Sequence, residues 1–151
     1  MSDSWINLIP EDPLMVPSPA CQEAALHRFH EIAPEADEIE ICISEKPTFH
    51  DCGGNFEKIS CPQCNTEIPI EWWQVMMDQD HVDGGFELMK YEVPCCGAAY
   101  TLHDLQYHWT QGMARFSIEA INPNIGEMKQ SYIQEFEEIL NTRIRVIYRH
   151  L

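Results

Sequence analysis

Basic residues are scarce in this chain. Nine Lys and Arg stand against 25 Asp and Glu over 151 residues, a formal net charge of -16. A surface so negative repels a phosphate backbone, which disfavours non-specific nucleic-acid binding and leaves two uses for the charge: solubility alone, or a basic protein partner. The imbalance has a direction along the chain, since residues 142–151 hold three of the nine basic residues, Arg143, Arg145 and Arg149, and no acid. Long apolar runs are missing too. No stretch approaches the ~18 apolar residues of a membrane span, and the opening MSDSWINLIPEDPLMVP lacks a basic start followed by an apolar run. The expectation is a cytoplasmic protein that does not enter a membrane. A Gly-Lys-Ser/Thr phosphate loop is also missing, and with it any support for ATP hydrolysis. No low-complexity tract or sequence repeat organises the chain.

The composition that remains is that of an ordinary globular protein. It is 44% hydrophobic and 23% charged, and four Trp, five Tyr and six Phe supply bulk for a core. The length suits one compact domain, or one domain with a small module set into it.

Periodicity predicts six elements outside the cysteine-bearing stretch. Trp5–Ile9 reads as a short strand halted by Pro10. Ser18-Pro19 opens a helix, with Ala25, Leu26, Phe29, Ile32 and Ala33 on one face until Pro34 ends it, which predicts a helix over 19–33. Ile39, Ile41 and Ile43 alternate with Glu40, Cys42 and Ser44 as a half-buried strand over 38–44. Met113 to Ile121 alternates likewise and closes on Asn122-Pro123-Asn124. Met128, Tyr132, Phe136, Ile139 and Leu140 predict a second helix from about Glu127 to Asn141. Arg143 to Tyr148 alternates as a last strand, whose arginines are expected to face the acidic helix before it. Strand, helix, strand, then strand, helix, strand is the order of an α+β ferredoxin-like sandwich, an antiparallel sheet with two helices. The expected division is a core of 1–49 and 110–151 with a zinc-ribbon-like module, 50–109, inserted between its halves.

Seven cysteines carry the chemistry. Without an export signal the closely spaced ones read as metal ligands rather than disulfides. Cys61-Pro62-Gln63-Cys64 places two thiols across a tight turn, and Pro94-Cys95-Cys96-Gly97 supplies two more, so four thiolates meet the tetrahedral preference of Zn²⁺. The spacing departs from the usual ribbon, because the second pair is vicinal and neighbours in an extended strand point to opposite sides. Cys95 and Cys96 can share one ion only if the chain bends there; otherwise Cys52 or His103 is the candidate fourth ligand. Between the pairs, Ile68 and Ile70 suggest one short strand and Phe86 to Val93 another. A helical stretch from Glu71 to Asp78 carries Trp72 and Trp73, which are expected to cover the ribbon and join it to the main sheet.

Other groupings are weaker. His50-Asp51-Cys52 offers a thiol beside a base, but sequence neighbours rarely face each other and no oxyanion hole is recognisable. His27 and His30 fit a solvated helix face. Asp78, Asp80 and Asp83 lack the glycine and terminal glutamate of a calcium loop.

Several of these segments together resemble a family of uncharacterised bacterial zinc-ribbon proteins. They are the CPxC turn, Trp72-Trp73, Pro94-Cys95-Cys96-Gly97, the Leu102-x-Asp104-Leu105-x-Tyr107-x-Trp109 segment and Ala114-Arg115-Phe116 with Asn122-Pro123. The likeness spans residues 18–149 and implies a bacterial, cytoplasmic setting without specifying an activity. His103 and His108 stand where the family's pattern has a polar and an acidic residue.

Three functions follow in order of expectation. First is a non-enzymatic protein with structural zinc whose acidic surface engages a basic protein, in one concrete form an immunity or antitoxin-type inhibitor of a basic toxin. Second is a zinc-dependent hydrolase, which needs an open coordination position. Third is an adaptor in transcription or translation using Arg143, Arg145 and Arg149 as a basic strip, which the net charge opposes.

Overall fold

The computed structural model describes residues 2–151, beginning with strand β1 (Ser4–Pro10). Helix α1 (Pro19–Ile32) follows, and Ser18 caps it as its sequence predicts: Ser18 Oγ accepts from the Cys21 amide at 3.3 Å, and Pro19 holds the first position. Strand β2 (Glu38–His50) runs six residues past the expected end at Ser44. Its pairing shifts register between Ile43 and Thr48, and Pro47 falls in this irregular stretch. Because β2 lies at the edge of its sheet, a proline without a donor is tolerated there.

The middle of the chain is built from short pieces: β3 (Lys58–Ser60), α2 (Ile70–Asp80), β4 (His81–Val82), β5 (Gly85–Phe86), β6 (Tyr91–Glu92), β7 (Ala99–Tyr100), a 3-10 turn at Leu102–Asp104, and β8 (Gln106–His108). Two expected strands are corrected here. Ile68 is buried, but Ile70 already begins α2 behind Pro69. The run Phe86–Val93 is broken at Leu88, whose φ is +57°. The buried Asp80 carboxylate accepts from the Leu88 and Met89 amides at 2.9 and 3.0 Å and from the Tyr91 hydroxyl at 2.9 Å, so the chain turns around a side chain instead of extending.

The chain then completes the main sheet with β9 (Gly112–Ile121), α3 (Gln130–Leu140) and β10 (Ile144–His150). Helix α3 starts three residues later than its periodicity suggests: Lys129 is extended (φ -62°, ψ 144°) and stands as its N-cap, and the Met128 amide before it bonds the Tyr148 hydroxyl on β10. It ends at Asn141, whose left-handed backbone (φ +56°) lets the Thr142 amide reach back to Glu137 O.

The four long strands form one antiparallel sheet in the order β10-β1-β9-β2, and the others pair as β3-β8, β4-β5 and β6-β7. The fold of the described residues is thus mixed α+β, with three α-helices and antiparallel sheets. Both α1 and α3 pack on one face of the large sheet: Ala25, Phe29, Phe136 and Leu140 share a core with Ile6, Leu8, Ile39, Phe116, Ile118 and Ala120. Phe29 and Phe136 meet at 5.4 Å between ring centres, and burying each ring contributes roughly 1.5–3 kcal/mol. Arg28 clips the helices together outside this contact through Glu135 at 2.7 Å.

On the opposite face, the segment after β2 docks from one edge of the sheet to the other. Cys52 packs on Ile9, Ala114 and Ile147, and the Gly54 amide bonds His150 O at the β10 edge. Beyond it lies a separate core in which Ile59, Cys61, Ile68, Phe86, Val93, Leu102 and Leu105 gather on Met113 of β9. Trp73 roots this cluster in the sheet as the sequence suggests, packing edge-on to Phe49 of β2 at 5.8 Å and donating its indole N–H to the Tyr107 hydroxyl at 3.0 Å. No helix among the described residues is long and apolar enough to cross a membrane.

Candidate metal centre

Two turns face each other at the far side of this second core. In the first, Cys61 begins a tight bend, its amide bonds Thr66 O at 2.9 Å, and Asn65 (φ +61°) returns its own amide to Cys61 O at 2.9 Å. In the second, Val93 stands where Cys61 stood. Its amide bonds Ala98 O at 2.9 Å, and Gly97 (φ +74°) returns its amide to Val93 O at 2.9 Å. Proline follows the opening residue in both, as Pro62 and Pro94, and the opening residue is buried in both. The turns are one backbone motif used twice. Cys61 and Cys64 occupy its first and fourth positions, Cys95 and Cys96 its third and fourth.

That shared bend is how a vicinal pair can face one point. One ligand atom from each of Cys61, Cys64, Cys95 and Cys96 lies within 4.8 Å of every other, so the four could hold a metal ion. Cys61 and Cys96 sulfurs are 3.7 Å apart, and those of Cys64 and Cys95 3.4 Å. A tetrahedron with metal–sulfur bonds of about 2.3 Å has edges of about 3.8 Å, so the spacing fits a four-thiolate ion and is far too wide for disulfides. All seven cysteines are free.

The surroundings favour the thiolate at Cys64 and oppose it at Cys95. The Gln63 amide donates to Cys61 Sγ at 3.4 Å, and Cys64 Sγ lies 3.2 Å from Thr66 Oγ1. Hydrogen bonding from Thr66 draws the Cys64 thiol down to about 6. Desolvation and then the neighbouring thiols push Cys95 up to about 12. A first proton leaves easily and the next with difficulty, because negative charge accumulates on crowded sulfurs; a divalent cation removes that conflict. Of these four, only Cys61 is buried, while Cys64, Cys95 and Cys96 reach the surface.

The alternative ligands lie elsewhere. Cys52 lies under the sheet with Gln111, whose Oε1 accepts from the Cys52 amide at 2.9 Å and from the thiol at 3.3 Å. Burial pushes that thiol up to about 11, and His50 meets Thr48 Oγ1 at 3.3 Å rather than the sulfur. His27 and His30 are exposed on α1. His108 bonds Ser60 Oγ at 2.9 Å.

His103 has a structural position that its sequence does not announce. It is 2% exposed; its Nδ1 accepts from the Met113 amide at 2.9 Å, so Nε2 carries the proton that bonds Glu11 O at 2.7 Å. Arg145 closes the same junction, donating to His103 O and Gln111 O at 3.1 and 2.8 Å while pairing with both Glu11 oxygens at 2.8 Å. Gly112 makes this approach possible, since a Cβ there would stand 2.8 Å from Arg145 Nη1 and 3.0 Å from the imidazole. Arg149 is engaged as well, stacked 4.5 Å over Trp5 and facing Asp51 at 3.4 Å. The arginines of the last strand do not face α3 as expected: Arg145 and Arg149 bind within the fold, and Arg143 is the exposed one.

A pH dependence follows from His103. Burial, and then the nearby Arg145 charge, hold its pKa below the ordinary value. The unfolded chain therefore takes up the proton first. Stability is complete above the unfolded value of about 6.5 and falls as pH drops below it. Urea midpoints measured at several pH values between 8 and 5 are expected to decline toward acid less steeply in His103→Gln than in the parent. The slope contributed by the cysteines is common to both proteins, so equal slopes would refute this assignment.

No family model, curated protein or solved structure matches the chain.

Proposed function

We propose that this chain is a non-enzymatic zinc protein that works through a protein–protein contact, in its most concrete form an immunity or antitoxin-type inhibitor of a basic partner. The observation that carries the reading is the convergence of four thiols at tetrahedral spacing. Four thiolates fill the coordination of Zn²⁺ and leave no position for a reactive water, so the ion serves structure. It locks two turns to a core whose strands are two or three residues long and bury little apolar surface on their own.

The surface chemistry supports the second half of the proposal. Of the nine basic residues, Arg28, Lys46, Arg145 and Arg149 already sit in ion pairs within the fold, so the charge offered outward is overwhelmingly acidic. Opposite potentials speed encounter with a cationic protein, and such a complex forms more slowly as salt rises. The proposed scaffold is a ferredoxin-like sandwich of 1–49 and 110–151 carrying the inserted module 50–109. In its favour are the fourth-first-third-second order of the long strands and the placement of α1 and α3 on one face.

Protein carrying one zinc per chain is expected to give four sulfurs at about 2.3 Å by X-ray absorption at the zinc edge. Oxygen or nitrogen in that shell would overturn the structural role and bring the hydrolase forward. A mobility-shift assay with duplex DNA and with RNA at ~150 mM salt is expected to show no complex. A shift there would replace the protein-partner reading with the adaptor.

A further inference from the structure

The sheet face turned away from the helices carries a second set of ligating side chains. Ile6 and Leu8 of β1 belong to the helix-side core, so Asn7 between them projects to the other face. Asn7 stands directly opposite Glu119 on β9, and Glu119 directly opposite Glu40 on β2. Cys42, one step along the same face of β2, lies opposite Ser117, whose hydroxyl donates to Glu119 Oε2 at 2.7 Å. One ligand atom from each of Glu40, Cys42 and Glu119 lies within 4.8 Å of the others.

Two independent features of this group call for a cation. Like charges directly opposite each other destabilise an antiparallel pair, and among the described residues neither Glu40 nor Glu119 forms an ion pair. Beside them, Asn7 is 3% exposed and its Oδ1 has no hydrogen-bond donor, although a buried amide oxygen is costly when left unsatisfied. An ion between the carboxylates relieves the first conflict, and the amide oxygen, aligned in the same cross-strand row, finds its partner in that ion.

We infer that Glu40, Cys42 and Glu119, completed by Asn7 Oδ1, form a second divalent-cation site, separate from the four cysteines and suited to Zn²⁺. A thiolate beside two carboxylates selects a borderline ion, because Mg²⁺ and Ca²⁺ take oxygen shells without sulfur. Glu40 is exposed, and Cys42 and Glu119 are half-buried, so this ion exchanges with solvent more readily than one locked between the two turns. Its ligands come from three adjacent strands, and the bound ion therefore staples β1, β9 and β2 together.

The experiment is a calorimetric Zn²⁺ titration of the full chain already carrying one equivalent, repeated on Glu40→Gln, Glu119→Gln and Cys42→Ser. A second equivalent is expected in the parent, weakened at least about tenfold in each variant, with the first equivalent retained in all. X-ray absorption on the doubly loaded protein, less the singly loaded spectrum, should show one sulfur with oxygens. Glu40→Gln alters an exposed side chain and tests the site even if the other variants fold poorly. The inference is overturned by a parent that takes no second equivalent, or by a second equivalent indifferent to all three substitutions. Failure of the four-cysteine reading is distinguishable, since it removes the equivalent that none of these variants affects.

Discussion

If the four cysteines hold zinc as proposed, Cys61→Ser is expected to cost the protein that tightly held equivalent and to unfold the segment between β3 and β8. Cys61 is the one buried sulfur of the four, and the proposed site gives it two jobs: it would ligate the ion, and it fills the core beside Ile59, Ile68 and Val93. Structural zinc contributes an apparent 10–16 kcal/mol in small metal modules, whereas a whole domain is stable by about 5–15 kcal/mol. Losing a third of the metal term, about 3–5 kcal/mol, is therefore comparable with the whole stability of a marginal domain. Serine keeps the size but offers a hydroxyl in place of a thiolate, and it leaves a polar group in an apolar site. Elemental analysis should fall from one tightly held zinc per chain toward none. Hydrogen exchange should lose protection at the Ile68 and Val93 amides, which bond Ile59 O and Ala98 O, while the strands of the large sheet stay protected. A variant that keeps its zinc, or unchanged protection at both amides, would show that the cluster is not what holds this core.

The large sheet and its helices were legible in the sequence because their signals are local. Ile39-Ile41-Ile43 and Phe116-Ile118-Ala120 alternate, and Phe29 and Phe136 sit on three-to-four spacings, so each face is written into its own segment. The extension of β2 to His50 was not legible. A Glu-Lys-Pro-Thr run reads as a break, and only the edge position of the strand makes the proline harmless. By the spacing of their sulfurs alone, the vicinal cysteines depart from a ribbon. The signal lay in the backbone: Val-Pro-Cys-Cys-Gly overlays Cys-Pro-Gln-Cys-Asn, with proline second and a residue tolerant of positive φ fifth. The row Asn7, Glu119, Glu40 joins residues more than 30 and 75 positions apart, so no local window contains it.

Asp80 is hidden in the sequence for the opposite reason. An aspartate amid Asp78, Gln79 and Asp83 reads as surface, yet Asp80 is 1% exposed and serves as the hub of the loop leading to the second cysteine turn. Asp80→Ala should lower stability by about 4 kcal/mol or more. It strips acceptors from the Leu88 and Met89 amides and the Tyr91 hydroxyl together, and hydrogen bonds to charged groups are each worth about 1.5–3 kcal/mol. Desolvation and the Asp80 bond hold the Tyr91 hydroxyl up at about 12, so it remains a donor that must find an acceptor at neutral pH. The effect reaches the four-cysteine site because β6 leads straight from Tyr91 and Glu92 to Val93, the opening residue of the second turn. Once Leu88 is released from its left-handed backbone, nothing fixes where Cys95 and Cys96 face Cys61 and Cys64. Zinc affinity measured by chelator competition should therefore fall together with the urea midpoint, although no ligand has changed. Asp80→Asn retains one acceptor oxygen and should lie between parent and alanine in both measurements. A loss of stability with zinc affinity intact would separate the loop from the metal turns and leave Asp80 a purely local anchor.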